Sequence, residues 1–349
     1  MDYPTNDLKL AMELAESSNN CREKGFALAV PFYTHIDGEF DNYLGVKVWE
    51  HLPQDDFNFV PIWLKVHGDS SNVPRLMRSV RGKTVYVIHP IYLDADGHSK
   101  NGGKLISATK MSRGTPLLFE PYNRDWRQDT RYGREPITAR LTADSYSHAG
   151  LEVYLGMDFH FKQLPGFFEC PAEGFDLNKQ FAQFIRDRRE LGNLAVCSPD
   201  EGAVKRSIGL SEHLGGLPMI YIYQARDPEK PDNKKVLKIV GDVEDLDVII
   251  RDDVTGTAGT VVNARTALLD RGARSVSAAI SHLDLSEGAA QRLCDSGIHV
   301  YGTDGVPLRG KIPPDCMGNF DIMPLGPMIA DIIARDSKGA SLSSLYELH

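Results

Sequence analysis

A chain of 349 residues is too long for one compact core and suits two domains of ordinary size. Apolar residues at 42% and charged residues at 25% match a globular protein, and no apolar run approaches the roughly eighteen residues of a membrane span. The formal net charge of -9 argues against a general nucleic-acid binder, which would need a basic face.

The start, MDYPTNDLKLAMELAES, carries acids early and no apolar h-region, so no secretory signal is expected there. Cys21, Cys170, Cys197, Cys294 and Cys316 are scattered, odd in number and free of CxxC spacing. That pattern points away from a disulfide framework or a zinc site and towards a reducing cytoplasm. Residues 7–24 read as an amphipathic helix with Leu8, Met12 and Ala15 on one stripe. The runs FALAVPF, FVPIWLKV and KTVYVIHPIYL read as strands, with Pro31 and Pro61 interrupting regular pairing. DADGHSKNGG (94–103) is polar and Gly-rich and reads as a loop. KLISATKMS then reads as a helix, TPLLFEPY as a strand, and ITARLTADSYSHAG as a helix capped at Gly150. VYLGMDFH is a strand that delivers a Met-Asp-Phe-His run at its carboxyl end.

The second half repeats the theme. The helix FDLNKQFAQFIRDRRELG leads to the strand NLAVCSPD, a further helix, the strand MIYIYQ and the charged loop ARDPEKPDNKK. LDVIIRDDVTGTAGT reads as a buried strand and loop, followed by the helix VVNARTALLDRGA, the strand SVSAAISH, the helix AAQRLCDSG and the strand IHVYGTD. Strands alternating with helices predict βαβ units, hence an α/β fold of two similar domains with central parallel sheets. Right-handed crossovers then put the active loops at the carboxyl ends of the strands. The expected boundaries are 1–175 and 176–328, with the tail 329–349 packing back on the first domain.

The sharpest chemical signal is IIRDDVTGTAGTVVNA, residues 249–264. An apolar strand ends in two acids, and a loop of Thr and Gly then opens a helix. Gly256 and Gly259 allow tight turns, so successive N–H groups around Ala258 can form an anion nest. Thr255, Thr257 and Thr260 add hydroxyl donors, and the helix N-terminus adds its dipole. Such a loop holds one phosphate monoester. Asp252 and Asp253 then stand where they bind either two ribose hydroxyls or a magnesium ion bridging them. The competing explanation, a plain strand-to-helix turn with Asp as turn former, leaves the combination of paired acids and Thr/Gly loop unexplained.

This segment resembles the phosphoribosyl-pyrophosphate loop of type I phosphoribosyltransferases and their relatives. SVRGKTVYVIHP (79–90), RQDTRYGREPITARL (127–141), GMDFHFKQLPGFFECP (156–171), CSPDEGAVKRS (197–207) and the tail KGASLSSLYELH resemble, in order, segments of the phosphoribosyl pyrophosphate synthetase family. The resemblance runs from about residue 75 to the end. It implies two phosphoribosyltransferase-type domains and ATP-dependent transfer of a diphosphate to the anomeric hydroxyl of ribose 5-phosphate. It also implies magnesium, no nucleic acid or membrane as partner, and self-association ranging from a dimer to a hexamer.

The resemblance implies roles for individual residues as well. His160, which as a lone histidine is more often structural than a metal ligand, would join Asp200 on the magnesium that bridges the ATP phosphates. Arg127, Gln128 and Asp129 would contact ATP; the bland alternative is a solvated basic turn. Arg226 fits the family's loop arginine, while the family's loop lysine falls near Gln224. That leaves Lys230, Lys234 or Lys235 as candidates, against a merely solvated loop. Ser79, Arg81, Ser341 and Ser343 match positions of an allosteric phosphate or ADP site between subunits.

Three departures bear on function. KVHGDSSNVPR (65–75) lacks the Phe and Glu of the family's adenine-holding segment, with His67 or Asp69 as replacements. The first sixty or so residues do not align. An Asp of the family's sugar-phosphate loop is Gly256 here, which opens space beside the 5′-phosphate. That change allows a 5′-extended acceptor such as ADP-ribose, as in synthetase-like enzymes of NAD salvage. The missing lysine and phenylalanine also allow a non-catalytic regulatory subunit, while intact His160, Asp200, Asp252 and Asp253 argue against one. A phosphoribosyltransferase proper would leave the MDFH and SPD segments idle.

Overall fold

Val-, Ile- and Phe-rich runs bounded by Gly and Pro form the strands of two sheets, each with helices on its flanks. The computed structural model describes residues 12–16, 25–33, 43–66, 71–91, 98–131, 133–189, 192–226 and 234–345. The chain divides into two compact units, Met1–Asp176 with Leu325–His349, and Leu177–Pro324.

The first unit holds β1 (Phe26–Tyr33), β2 (Phe57–Val66), β3 (Asn72–Leu76), β4 (Thr84–Ile88), β5 (Thr115–Glu120), β6 (Val153–Met157) and β7 (Ala172–Phe175). They form a seven-stranded sheet of order β3-β2-β1-β4-β5-β6-β7. Every neighbouring pair is parallel except β2–β3, which is antiparallel. α1 (Tyr43–His51), α2 (His98–Met111) and α3 (Thr138–His148) belong to this unit. Its core includes Val60, Ile62, Val87, Leu118, Trp126, Tyr146 and Tyr154.

The second unit repeats the layout. β8 (Leu194–Ser198), β9 (Met219–Arg226), β10 (Lys234–Val240), β11 (Asp247–Thr255), β12 (Ser275–Leu283), β13 (His299–Thr303) and β14 (Phe320–Met323) form a sheet of order β10-β9-β8-β11-β12-β13-β14. Only β9–β10 is antiparallel. α4 (Asn178–Arg186), α5 (Val204–His213), α6 (Gly259–Asp270) and α7 (Ala289–Asp295) accompany it. β11 is buried along Val248–Arg251, the near-continuous burial of a strand covered on both faces. The last helix, α8 (Gly326–Asp336), returns to the first unit, where Gly326 abuts Lys47 of α1 and Asp336 accepts from the Tyr86 hydroxyl at 2.5 Å.

The α/β class with central parallel sheets is as expected; four details differ. Each sheet also carries an antiparallel edge strand, β3 or β10, so Ala225, Arg226, Lys234 and Lys235, at the two ends of the expected loop ARDPEKPDNKK, are paired strand residues, while 227–233 lie outside the described residues. Residues 98–103, expected as loop, are the opening turns of α2. Gly102 answers to packing, because a Cβ there would lie 2.3 Å from the Tyr146 hydroxyl. Pro31 and Pro61 do sit in paired strands. β1 meets β4 only through Ala29 and β2 meets β3 only from Ile62, so each proline has one flank without a paired strand. Of the helix expected over 7–24, residues 12–16 are described and are helical. No helix among the described residues is long and apolar enough to cross a membrane.

Candidate functional site

The second sheet reverses its strand order between β8 and β11. The chain first steps outward from β8 to β10, then returns to the other side of β8. In open α/β sheets the crevice at the carboxyl ends of such strands is where ligands bind. Asp200 follows β8 at this reversal, and Asp252 and Asp253 stand near the end of β11.

Three carboxylates therefore share one corner. Asp253 is buried, and Arg206 on α5 reaches it with Nη1 3.5 Å from Oδ1. Asp252 accepts from the Asp253 amide at 2.9 Å. Loss of water, then the negative charges of Asp253 and Asp200, push the Asp252 carboxyl well above its usual range, with Arg206 opposing. Asp200 receives the N–H groups of Gly202 at 3.1 Å and Ala203 at 3.3 Å, which fixes its carboxylate ahead of α5. Beneath the acids lies Arg251, fully buried. Its guanidinium donates to Asn178 Oδ1 at 2.8 Å, to Ser281 Oγ at 3.0 Å and to the Asp252 carbonyl, and stands 4.8 Å from the Phe181 ring centre. A carboxyl held above its range by like charge takes up a proton or a cation, or donates to and accepts from sugar hydroxyls. Among the described residues no group of three or more His, Cys, Asp or Glu is arranged as a metal cage. Magnesium itself favours few protein ligands.

Beyond Asp253 the strand runs through buried Thr255 into the turn Gly256-Thr257-Ala258, and Gly259 opens α6. Ala258 takes a left-handed conformation, φ 64° and ψ −1°, which a non-glycine residue adopts only where its surroundings hold it. Thr257 is exposed and Thr260 half-buried, so hydroxyls and first-turn amides of α6 share one solvent-facing turn. Asp252, Asp253 and residues 255–260 are thus brought together, with Asp200 beside them.

In the first unit, β6 ends at Met157 and Asp158 turns left-handed at φ 42°. The Phe159 ring fills the space a Cβ would need on Gly156, at 2.4 Å, and on Gly174, at 2.5 Å. With the Asp158 amide bonded to the Phe175 carbonyl at 2.8 Å, this wedge sets the turn that leaves His160 exposed. Arg127, Gln128 and Asp129 close a short 3-10 turn, Arg124–Arg127. Arg127 is exposed, Gln128 bonds Glu135 at 3.0 Å, and Asp129 accepts from Thr130 at 3.2 Å.

That turn rests on a buried polar network. Glu120 ends β5 and is fully buried, accepting from Tyr146 at 3.1 Å, Tyr154 at 2.9 Å and Asn123 at 2.9 Å. Trp126 donates to the Tyr154 hydroxyl at 2.8 Å, and Asn123 caps the turn through the Asp125 amide at 2.9 Å. Burial pushes the Glu120 carboxyl up to about 7, with His89, whose Nε2 is 3.9 Å away, and the three donors opposing.

His160 belongs to the first unit and Asp200 to the second. Arg226 ends β9, with Lys234 of β10 as its register partner and Lys235 opposite Ala225. Gln224 lies one pair further in, opposite Val236, and is half-buried. Lys230, His67 and Asp69 lie outside the described residues. Ser79 and Arg81 are exposed, as are Ser341 and Ser343, whose hydroxyls bond at 3.0 Å. Arg206 and Arg251 were not expected from the sequence. The first sits within CSPDEGAVKRS, where an Arg six residues after Asp200 was readable; the second was hidden in an otherwise apolar strand.

Residues 221–347 match a family described as phosphoribosyl synthetase-associated domain. The chain is 33% identical to a ribose-phosphate pyrophosphokinase of Corynebacterium efficiens, over 78% of this chain and 84% of that protein. It is 32% identical to the ribose-phosphate pyrophosphokinase of Aquifex aeolicus, over 89% and 95%. The crystal structure of a phosphoribosylpyrophosphate synthetase from Mycobacterium smegmatis superposes with a TM-score of 0.77 at 26% identity, over 90% of this chain and 99% of that one. With two such relatives aligned over most of their length, and a fold to match, the chain belongs to the ribose-phosphate pyrophosphokinase family.

Proposed function

We propose that the chain transfers the β,γ-diphosphate of ATP to the anomeric hydroxyl of ribose 5-phosphate, giving phosphoribosyl pyrophosphate and AMP. One observation carries the reading: the acids Asp252 and Asp253 run directly into the Thr/Gly turn and the N-terminus of α6. The N–H groups and hydroxyls of Thr255, Gly256, Thr257, Ala258, Gly259 and Thr260 hold the 5′-phosphate, and the two acids hold the ribose hydroxyls beside the anomeric carbon. The names of the relatives support this acceptor. Nothing among them favours ADP-ribose or a non-catalytic subunit.

The reaction asks for positioning and charge neutralisation rather than a covalent intermediate. The anomeric oxygen bonds to the β-phosphorus as the bond from that phosphorus to the bridging oxygen of AMP breaks. The hydroxyl proton is released and AMP departs. Asp252 and Asp253 orient the sugar so that its anomeric oxygen faces the line of attack. Arg206 holds Asp253 in place, and Arg251 holds the Asp252 backbone. Arg127, Gln128 and Asp129 bind ATP from a turn anchored on Glu120, while Arg226 and Lys230 bring positive charge to the phosphates. The donor set fits magnesium, a hard cation that takes oxygen ligands, since Asp200, Asp252 and Asp253 share one corner of the second unit. Asp200, Asp252 and Asp253 would hold it in the second unit and His160 in the first; when bound it neutralises phosphate charge. Self-association belongs to the same reading, and light scattering would measure it.

An acceptor screen tests the proposal. With Mg-ATP, AMP release should require ribose 5-phosphate and be absent with ribose, which lacks the 5′-phosphate the turn would hold. AMP release with ADP-ribose and not with ribose 5-phosphate would overturn the acceptor. No release with any of the three would overturn the reaction.

A further inference from the structure

The phosphate turn is tied to a segment that neither the paired acids nor the Thr/Gly loop contains. Ser286, in the connection from β12 to α7, donates its amide at 3.1 Å and its hydroxyl at 3.3 Å to the Gly256 carbonyl. Arg292, on α7, donates from Nη1 to the Thr257 carbonyl. Both donors are themselves fixed. The Ser286 carbonyl accepts the Ala289 amide at 3.0 Å as α7 begins, and the Arg292 amide bonds the Gly288 carbonyl at 3.0 Å.

Peptide geometry turns these two bonds into a statement about donors. The described residues contain no cis peptide, so in every peptide plane the C=O and the N–H point to opposite sides. The plane that carries the Gly256 carbonyl carries the Thr257 N–H, and the plane of the Thr257 carbonyl carries the Ala258 N–H. Drawing both carbonyls towards α7 therefore swings both N–H groups to the other side. Among the described residues neither amide donates to an acceptor. The guanidinium also polarises the Thr257 peptide, which strengthens the Ala258 N–H as a donor. The left-handed Ala258 is the local sign that this arrangement is imposed from outside the turn.

We propose that Ser286 and Arg292 are positioning residues for the acceptor, holding the Gly256 and Thr257 carbonyls so that the Thr257 and Ala258 N–H groups face the 5′-phosphate. The proposal rests on the reading of this turn as the phosphate site. Neither residue touches the reacting atoms, so the expected signature is a change in acceptor affinity with ATP affinity intact.

Arg292→Ala should raise the KM for ribose 5-phosphate about tenfold, the loss expected of one charge-assisted hydrogen bond, and leave the KM for ATP within about twofold. Arg292→Lys, which keeps a cationic donor, should recover most of that loss. Ser286→Ala removes the hydroxyl but leaves the amide bond to Gly256, so a rise of about threefold is expected. Equal rises in both KM values, or none, would overturn the proposal. A second readout separates it from the acceptor reading itself. Titrating inorganic phosphate into the full-length protein, with amide resonances of labelled Thr and Ala observed, should shift Thr257 and Ala258 in wild type and much less in Arg292→Ala. If wild type shows those shifts but does not use ribose 5-phosphate, the acceptor reading fails and the positioning stands. Identical shifts in wild type and variant, or none in wild type, would overturn the positioning.

Discussion

β4 and β11 occupy equivalent places in two sheets of one strand order, yet their carboxyl ends are built for different ends. After β4 the chain places His89 in full burial against Glu120 at the end of β5. Neutral donors from Tyr146, Tyr154 and Asn123 surround that carboxyl, with the two tyrosine ring centres 6.4 Å apart. Near the end of β11 the chain places Asp252 beside two other carboxylates, and the strand opens into a turn with Thr257 in solvent. Both corners hold an acid raised above its usual range, Glu120 chiefly by burial and Asp252 by burial and then by like charge. A buried acid ringed by neutral donors is a structural strut. An acid crowded by acids carries a cost that a cation or a sugar can relieve, and that difference separates the proposed binding corner from the scaffold corner.

The largest expected effect lies at the second corner. Asp252→Asn should lower the rate of AMP release about a hundred- to a thousandfold, measured at saturating ATP. It should also raise the melting temperature of the ligand-free protein at pH 7. Because the folded Asp252 carboxyl is raised, the folded state holds a proton that the unfolded chain has already lost above about pH 4. Wild type therefore loses stability as pH rises past that point, and Asn does not. Loss of activity together with loss of stability would make Asp252 another strut and erase the contrast.

The same sign applies at Glu120, without a catalytic consequence. With the folded carboxyl near 7 and the unfolded one at 4.5, its contribution is fullest below pH 4.5 and falls as pH rises towards 7. The swing amounts to about 3 kcal/mol. Chemical denaturation of wild type and Glu120→Gln across pH 4.5–8 should show that slope in the first and lose it in the second. Parallel curves would mean that the carboxyl ionises normally.

Smaller effects sharpen the picture. Gly102→Ala sets a methyl against the Tyr146 hydroxyl, and the displaced ring should cost about 1–3 kcal/mol of stability through the Glu120 network. Thermal melting of that variant checks the figure. Magnesium should stabilise wild type by about 1 kcal/mol at concentrations several times its Kd, more at pH 8 than at pH 5, because protons compete at Asp252. Asp252→Asn should remove the pH dependence of that thermal shift.

How much of this was legible depended on whether the signal lay within one stretch of chain. The β11–α6 segment was readable because its apolar strand, its two acids and its Thr/Gly turn are contiguous. α2 was misread at its start because glycine and polar residues signal a loop locally. The reason for Gly102 stands 44 positions away by sequence, at Tyr146. The edge strands β3 and β10 escaped because short polar-flanked runs pair only when a neighbour is in place. Ser286 and Arg292 carry no pattern at all. They matter only because the fold brings them to the Gly256 and Thr257 carbonyls. Arg251 shows the opposite failure, since a charged residue in a buried strand reads as an error until Asn178 and Ser281 are seen to meet it.

The most direct test of the contrast is one kinetic experiment on wild type, Asp252→Asn and Glu120→Gln, following AMP release against ribose 5-phosphate at fixed Mg-ATP. The account predicts that Glu120→Gln saturates at the wild-type acceptor concentration and that Asp252→Asn loses nearly all turnover. Loss of acceptor saturation in Glu120→Gln, with Asp252→Asn turning over as wild type does, would contradict it.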